Sequence, residues 1–106
     1  MEVFLVNISY RLVINVKEIR GRCPVFEVGD KFVIEGAKVV QEKNGFLCIH
    51  ALGSMLSVVI PLSRGVSIKE LGLAKEEGNV GHIQCPDPGA PYTLGGTVIF
   101  EIRREA

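Results

Sequence analysis

Residues 45–63, GFLCIHALGSMLSVVIPLS, restrict what this chain can become more than any other stretch does. At helical spacing Cys48, Leu52, Met55, Val59 and Leu62 share one face, and Ile49, Leu56 and Ile60 lie beside them. Only a narrow strip stays polar: His50, Ser54 and Ser57, with Arg64 following beyond Pro61. So wide an apolar arc exceeds the need of a surface helix, and the reading is a helix buried on several sides. A chain of 106 residues has two covers to offer, a sheet on one side and a second copy of itself on the other. A membrane span is the rival, because the run nears the lower length limit for crossing a bilayer. Against it stand His50 and two serines within the run, the interruption at Pro61, and the lack of a flanking Lys or Arg cluster.

The regular helix is expected to begin between Cys48 and His50 and to stop between Leu62 and Gly65. Pro61 withholds a backbone donor, and Gly65 suits the left-handed residue after a helix. Ahead of it, Asn44-Gly45 is either a tight hairpin turn or a helix cap.

The flanking sequence reads as strands. From 4 to 16, Phe4, Val6, Ile8, Tyr10, Leu12, Ile14 and Val16 recur at every second position, with a bend or bulge expected near 7–9. A charged connection, 17–24, ends in Cys23-Pro24, where the proline biases the cysteine toward extended geometry. Short strands follow at 31–35 and 38–42, separated by the turn Gly36-Ala37 and preceded by the turn signal Gly29-Asp30. Ser67-Ile68-Lys69-Glu70 fits a capping box, predicting a single-turn helix over 68–71 that stops at Gly72. The polar stretch 74–79 should be exposed, 80–85 should be a strand, and 86–91 a proline-rich loop. After Gly95-Gly96, residues 97–103 read as the last strand, with Val98, Phe100 and Ile102 inward. Strands in runs around one helix indicate a single α+β domain over 1–106: a small antiparallel or mixed, curled β-sheet around one buried central helix, plus a short second helix.

Composition narrows the function classes. Hydrophobic residues make up 47% of the chain, high enough that part of the apolar surface is expected in a subunit interface, so a homo-oligomer is the expectation. Twelve basic and twelve acidic residues cancel without gathering into runs, which argues against a nucleic-acid partner. The opening MEVFLVNISYR begins with an acid and carries no basic segment or signal cleavage site, so a cytoplasmic protein is expected. An odd count of three cysteines fits reduced thiols or metal ligands better than a disulfide framework.

Candidate chemistry collects on five residues. Cys23, Cys48 and Cys85 come from three separate segments; His50 follows Cys48 by two residues, and His82 precedes Cys85 by three. If the segments converge, a four-coordinate zinc or an iron–sulphur cluster is within their chemistry, although no C-x-x-C pair is present. The competing reading makes each cysteine a small buried hydrophobe, His50 a histidine of the polar strip and His82 a solvated edge residue. Cys48 is also the best candidate for a reactive thiol, because a helix N-terminus favours a thiolate. Asp87, between Pro86 and Pro88, reads first as a turn former. No phosphate-binding loop, dinucleotide fingerprint or nucleophile elbow is present.

Three motifs recur in order: Cys23-Pro24-Val25-Phe26-Glu27-Val28-Gly29-Asp30-Lys31-Phe32, then Gly45-Phe46-Leu47-Cys48 before the helix, then Cys85-Pro86-Asp87 before the closing strand. In this the chain resembles a family of short, uncharacterised prokaryotic proteins with a Cys-Pro-x-Phe-x-x-Gly-x-x-Phe opening, a Gly-x-Cys before a central helix and a late Cys-x-Asp. The resemblance runs from Val6 to Arg103 and carries over no activity. It implies that Cys23, Cys48 and Cys85 belong to one pattern and one shared thiol or metal site; His50 and His82 lie outside that pattern.

The expected protein is therefore a small cytoplasmic binding or accessory module with a candidate cysteine-centred metal or iron–sulphur site. One alternative is a thiol- or metal-dependent enzyme using Cys48. Another is a structural protein that docks through its apolar helix.

Overall fold

The computed structural model describes residues 9–41 and 46–106. Five strands and one helix follow in the order β1 (Arg11–Arg20), β2 (Lys31–Glu35), β3 (Lys38–Gln41), α1 (Ile49–Ser63), β4 (Val80–Gln84) and β5 (Thr97–Glu105). The strands form one sheet in the order β3-β2-β1-β5-β4, with every neighbouring pair antiparallel. The molecule is thus mostly β, an antiparallel sheet with one helix, and the expected curled sheet wrapped around a helix with a second helix beside it is incorrect. The bend foreseen at 7–9 and the Asn44-Gly45 turn fall on or beside residues outside the described ones.

Alternation sorts the sheet into two faces. Leu12, Ile14 and Val16 of β1, Phe32 and Ile34 of β2, and Val98, Phe100 and Ile102 of β5 join one buried cluster with Ala51, Met55 and Leu62 of α1. The opposite face carries ion pairs, Arg11 with Glu35 at 3.1 Å and Glu105 at 3.4 Å, and Glu101 with Lys17 at 3.1 Å and Arg103 at 3.4 Å, beside a buried apolar pair, Val13 and Val33, that face each other across β1 and β2.

The strand period of β1 does not run on unbroken. After Leu12, Ile14 and Val16, strict alternation would turn Glu18 inward. Instead the register shifts between Val16 and Glu18, so that Glu18 faces Ile99 and Ile19 faces Val98. The extra residue, Lys17, is a β-bulge that returns Ile19 to the core side and keeps both charges out. As a result β1 extends to Arg20, through residues read from sequence as a connection.

Helix α1 is less enclosed than its apolar arc predicts. Ala51, Met55 and Leu62 are buried against the sheet, but Ile49, Leu56 and Ile60 are 75%, 66% and 67% exposed. A sheet can cover only the side it touches, and the remaining apolar ridge points away from it. The helix ends where Gly65 predicts: with φ +91 it lets its own amide bond the Leu62 carbonyl at 3.2 Å and the Val66 amide bond that of Pro61 at 3.0 Å. These two bonds form a Schellman cap. Arg104 of β5 completes the end, donating from Nη1 to the carbonyls of Leu62 at 3.2 Å and Val66 at 2.6 Å while lying 5.1 Å from the Tyr10 ring centroid.

The helix predicted over 68–71 is a hydrogen-bonded turn. Ser67 makes its half of the capping box, accepting the Glu70 amide at 3.1 Å. Its hydroxyl donates to Glu77 at 2.8 Å, and Gly72, at φ +83, reverses the chain before a second helical turn can form. Ile68 anchors the segment in the core at 1% exposure. Among the described residues no helix is long and apolar enough to cross a membrane.

Candidate functional site

Each cysteine is placed by a different part of the scaffold. Cys23 sits in the loop 21–30, which begins at Gly21 with φ +90. Phe26 pins that loop: it is 3% exposed, stacked on Phe32 at 6.3 Å and set edge-on to Phe100 at 5.6 Å. Asp30 closes the loop by accepting the Glu27 amide at 2.8 Å. With the loop so fixed, the Phe26 amide donates to the Cys23 sulphur at 3.3 Å.

Cys48 is the N-cap of α1, in extended conformation and making no capping bond through its side chain. The first turn of the helix carries no acidic residue. His50 and Ala51 follow within that turn and line the same cavity as Cys48.

Cys85 extends β4 by one residue and is 7% exposed. Its amide donates to the Val98 carbonyl at 3.0 Å, the Val98 amide donates to its sulphur at 3.3 Å, and its thiol lies 3.7 Å from the Gly96 carbonyl. The following loop is held by Asp87. One carboxylate oxygen accepts the Gly89 amide at 2.8 Å and the Thr93 hydroxyl, while the Asp87 carbonyl accepts the Thr97 hydroxyl at 2.7 Å. The Thr93 bond, then the Gly89 bond, hold the carboxyl below the ordinary aspartate range; partial burial opposes them and nearby His50 adds to them.

The glycine pair before β5 has a packing reason. A Cβ at Gly95 would run into the Asp87 carboxylate, and one at Gly96 would lie 2.6 Å from the Arg20 carbonyl oxygen and press on the Arg22 amide. Only glycines let this loop lie flat on the end of β1.

These segments border one half-open cavity of about 420 Å³. Cys23, Cys48 and Cys85 all line it, with His50, Asp87 and Thr93. Its walls are Pro24, Val25, Phe26, Val98 and Phe100. Four of the five residues expected to carry chemistry are therefore brought together. His82 is not: it lies on the charged face of the sheet, its Nε2 4.0 Å from Glu101, and its proposed place in a metal site is withdrawn. Alternation is the reason, since Gly81 and Ile83 take the inward positions of β4. All three cysteines are free thiols. Among the described residues no group of three or more His, Cys, Asp or Glu side chains is arranged to hold a single metal ion.

Sequence reasoning undervalued Asp87 and overlooked Thr93. The spacing Asp87-x-Gly89 was the available signal, since an aspartate that accepts the amide two residues on is a common turn; nothing marked Thr93.

The fold and site define a class, a one-helix antiparallel sheet carrying a thiol-lined cavity at the amino end of its helix. No family model, no curated protein and no solved structure matches the chain.

Proposed function

We propose that this is a small cytoplasmic binding or accessory protein whose cavity seats a thiophilic inorganic cofactor, a metal ion or cluster. One observation carries the reading: Cys23, Cys48 and Cys85, from three segments far apart in sequence, line a single cavity with His50 and Asp87. Cys85 is buried, while Cys23 and Cys48 are only partly so, which leaves the cavity they border open to a ligand from solvent. Amides of Phe26 and Val98 donate to two of the sulphurs, the bonding that orients and tunes a thiolate ligand. The resemblance of the three cysteine motifs to one recurring pattern agrees with a shared site.

The test is elemental analysis of anaerobically purified protein beside a variant with all three cysteines changed to serine. Stoichiometric zinc or iron in the first and none in the second supports the reading; equal, substoichiometric metal in both overturns it. A second reading, a thiol-dependent enzyme, draws on Cys48 at the helix N-cap. It predicts that an alkylating reagent modifies Cys48 of the native protein much faster than Cys23 and Cys85.

A further inference from the structure

We propose that the cavity binds a small primary amine, its ammonium group held by the Asp87 carboxylate and the Thr93 hydroxyl and its apolar body set against Phe26, Val98 and Phe100. This goes beyond the reading of the sulphurs: it uses the carboxylate side of the cavity and needs no cofactor at the thiols.

The walls set the kind of molecule. Pro24, Val25, Phe26, Val98 and Phe100 present carbon, and a half-open space of about 420 Å³ lies within the range of about 300–1,000 Å³ typical of sites for small organic molecules. Apolar side chains continue beyond it: Ile49, between Cys48 and His50, and Tyr92 and Leu94, on either side of Thr93, are all exposed. An ion at the thiols leaves that surface wet; an organic body covers it.

Charge sets the head group. Neither lysine nor arginine lines the cavity, and Asp87 is its one carboxylate. Hydrogen bonds from Thr93 and Gly89 favour the ionised form and hold the carboxyl below the ordinary range. His50 is near enough to act on that charge, yet among the described residues it makes no ion pair with it. Laying a neutral or anionic molecule over an unpaired carboxylate strips its hydration with nothing in return; a cation restores the balance.

Geometry separates one cation from another. Both bonds end on Oδ1, which leaves no pair of free oxygens for the planar fork of a guanidinium. Oδ2 takes no hydrogen bond from the described residues, and a side chain at position 95 would lie against it, so Gly95 keeps it uncovered. The Thr93 hydroxyl has given its proton to Asp87 and presents only lone pairs. Both remaining groups accept, which suits an ammonium, a compact charge that only donates.

The test is titration of the full chain with phenethylamine, beside 2-phenylethanol and 3-phenylpropionate, read by calorimetry and by backbone amide NMR. Phenethylamine should bind saturably at a single site and shift the amides of Thr93 and Val98, and the neutral and anionic analogues should bind at least about tenfold more weakly. Asp87→Asn, whose amide oxygen can still accept the bonds from Gly89 and Thr93 and so keep the loop, should weaken the amine by a similar factor and leave 2-phenylethanol unchanged. Treatment with a chelator should not alter the affinity. Equal binding of amine and alcohol, an unaltered affinity in Asp87→Asn, shifts confined to residues outside the cavity, or no saturable binding overturns the proposal. Affinity that disappears with the chelator also overturns it, since the amine would then be a metal ligand and not a partner of Asp87; elemental analysis of the same sample reports on the thiols separately.

Discussion

The amide of Val98 donates to the sulphur of Cys85 at 3.3 Å, while the amide of Cys85 donates to the carbonyl of Val98 at 3.0 Å. One residue of β5 therefore fixes both the backbone and the side chain of the cysteine, and the sulphur has little freedom to turn away from the cavity. Cys85→Ala should destabilise the fold by about 1–2 kcal/mol, through a small cavity and one unpaired buried amide. Urea unfolding measures it, and a neutral result would show that the sulphur is not held.

Cys48 behaves in the opposite sense. Its extended conformation is that of an N-cap, but its side chain makes no capping bond. Serine supplies the missing acceptor, so Cys48→Ser should raise the stability of the metal-free protein by about 1 kcal/mol. A fall in melting temperature in this variant would count against the capping geometry.

Asp87 makes the site sensitive to acid. Its carboxyl lies below the ordinary aspartate range, chiefly through Thr93, then Gly89. A depressed carboxyl favours the fold above its unfolded value, and that contribution disappears as pH falls through the folded one. Thr93→Val should therefore move the Asp87 titration upward and flatten the dependence of stability on pH below about 4. Carboxyl NMR of the two proteins decides it; coincident titration curves would refute the Thr93 bond.

Two glycines should respond with opposite signs. Gly53 sits in α1 with nothing within 4 Å of a Cβ placed there, so Gly53→Ala should stabilise by roughly 1 kcal/mol. At Gly96 the Cβ meets backbone atoms of Arg20 and Arg22 that cannot yield, and Gly96→Ala should cost about 3 kcal/mol or prevent folding. Thermal melts of both variants are the measurement, and equal shifts would contradict the close approach of the loop to β1.

The exposed ridge of Ile49, Leu56 and Ile60 is the surface on which a homo-oligomer would form. Replacing all three with serine should leave a monomer across the micromolar range where the parent associates. Light scattering reads this directly; a parent that is itself monomeric removes the proposal.

Much of the scaffold was legible because it depends on local rules. Alternation marks β2, β4 and β5 within about two residues, and Pro61 with Gly65 marks the end of α1. The bulge at Lys17 was not legible, since a single inserted residue shows only when its partners across the sheet are known. Nor was the exposed ridge of the helix: an apolar arc states what would gain from burial, not what is available to cover it. The turn at 67–72 shows a local signal overridden, for Ser67 makes its capping bond and Gly72 still ends the segment. At the site, the cysteines could be named from sequence but their convergence could not, because it follows from the docking of Phe26 and from the pairing of Cys85 with Val98. His82 was misplaced by proximity in sequence to Cys85, when an odd spacing of three along an extended strand puts the two on opposite faces of the sheet.

The strand that lies between β1 and β4 follows both of them in sequence. Until β5 is threaded between them, β4 has no neighbour in the sheet and Cys85 has no Val98 to hold it. The three cysteines can border one cavity only once β5 is in place, so the last-inserted strand of the sheet is also the one that completes the cavity.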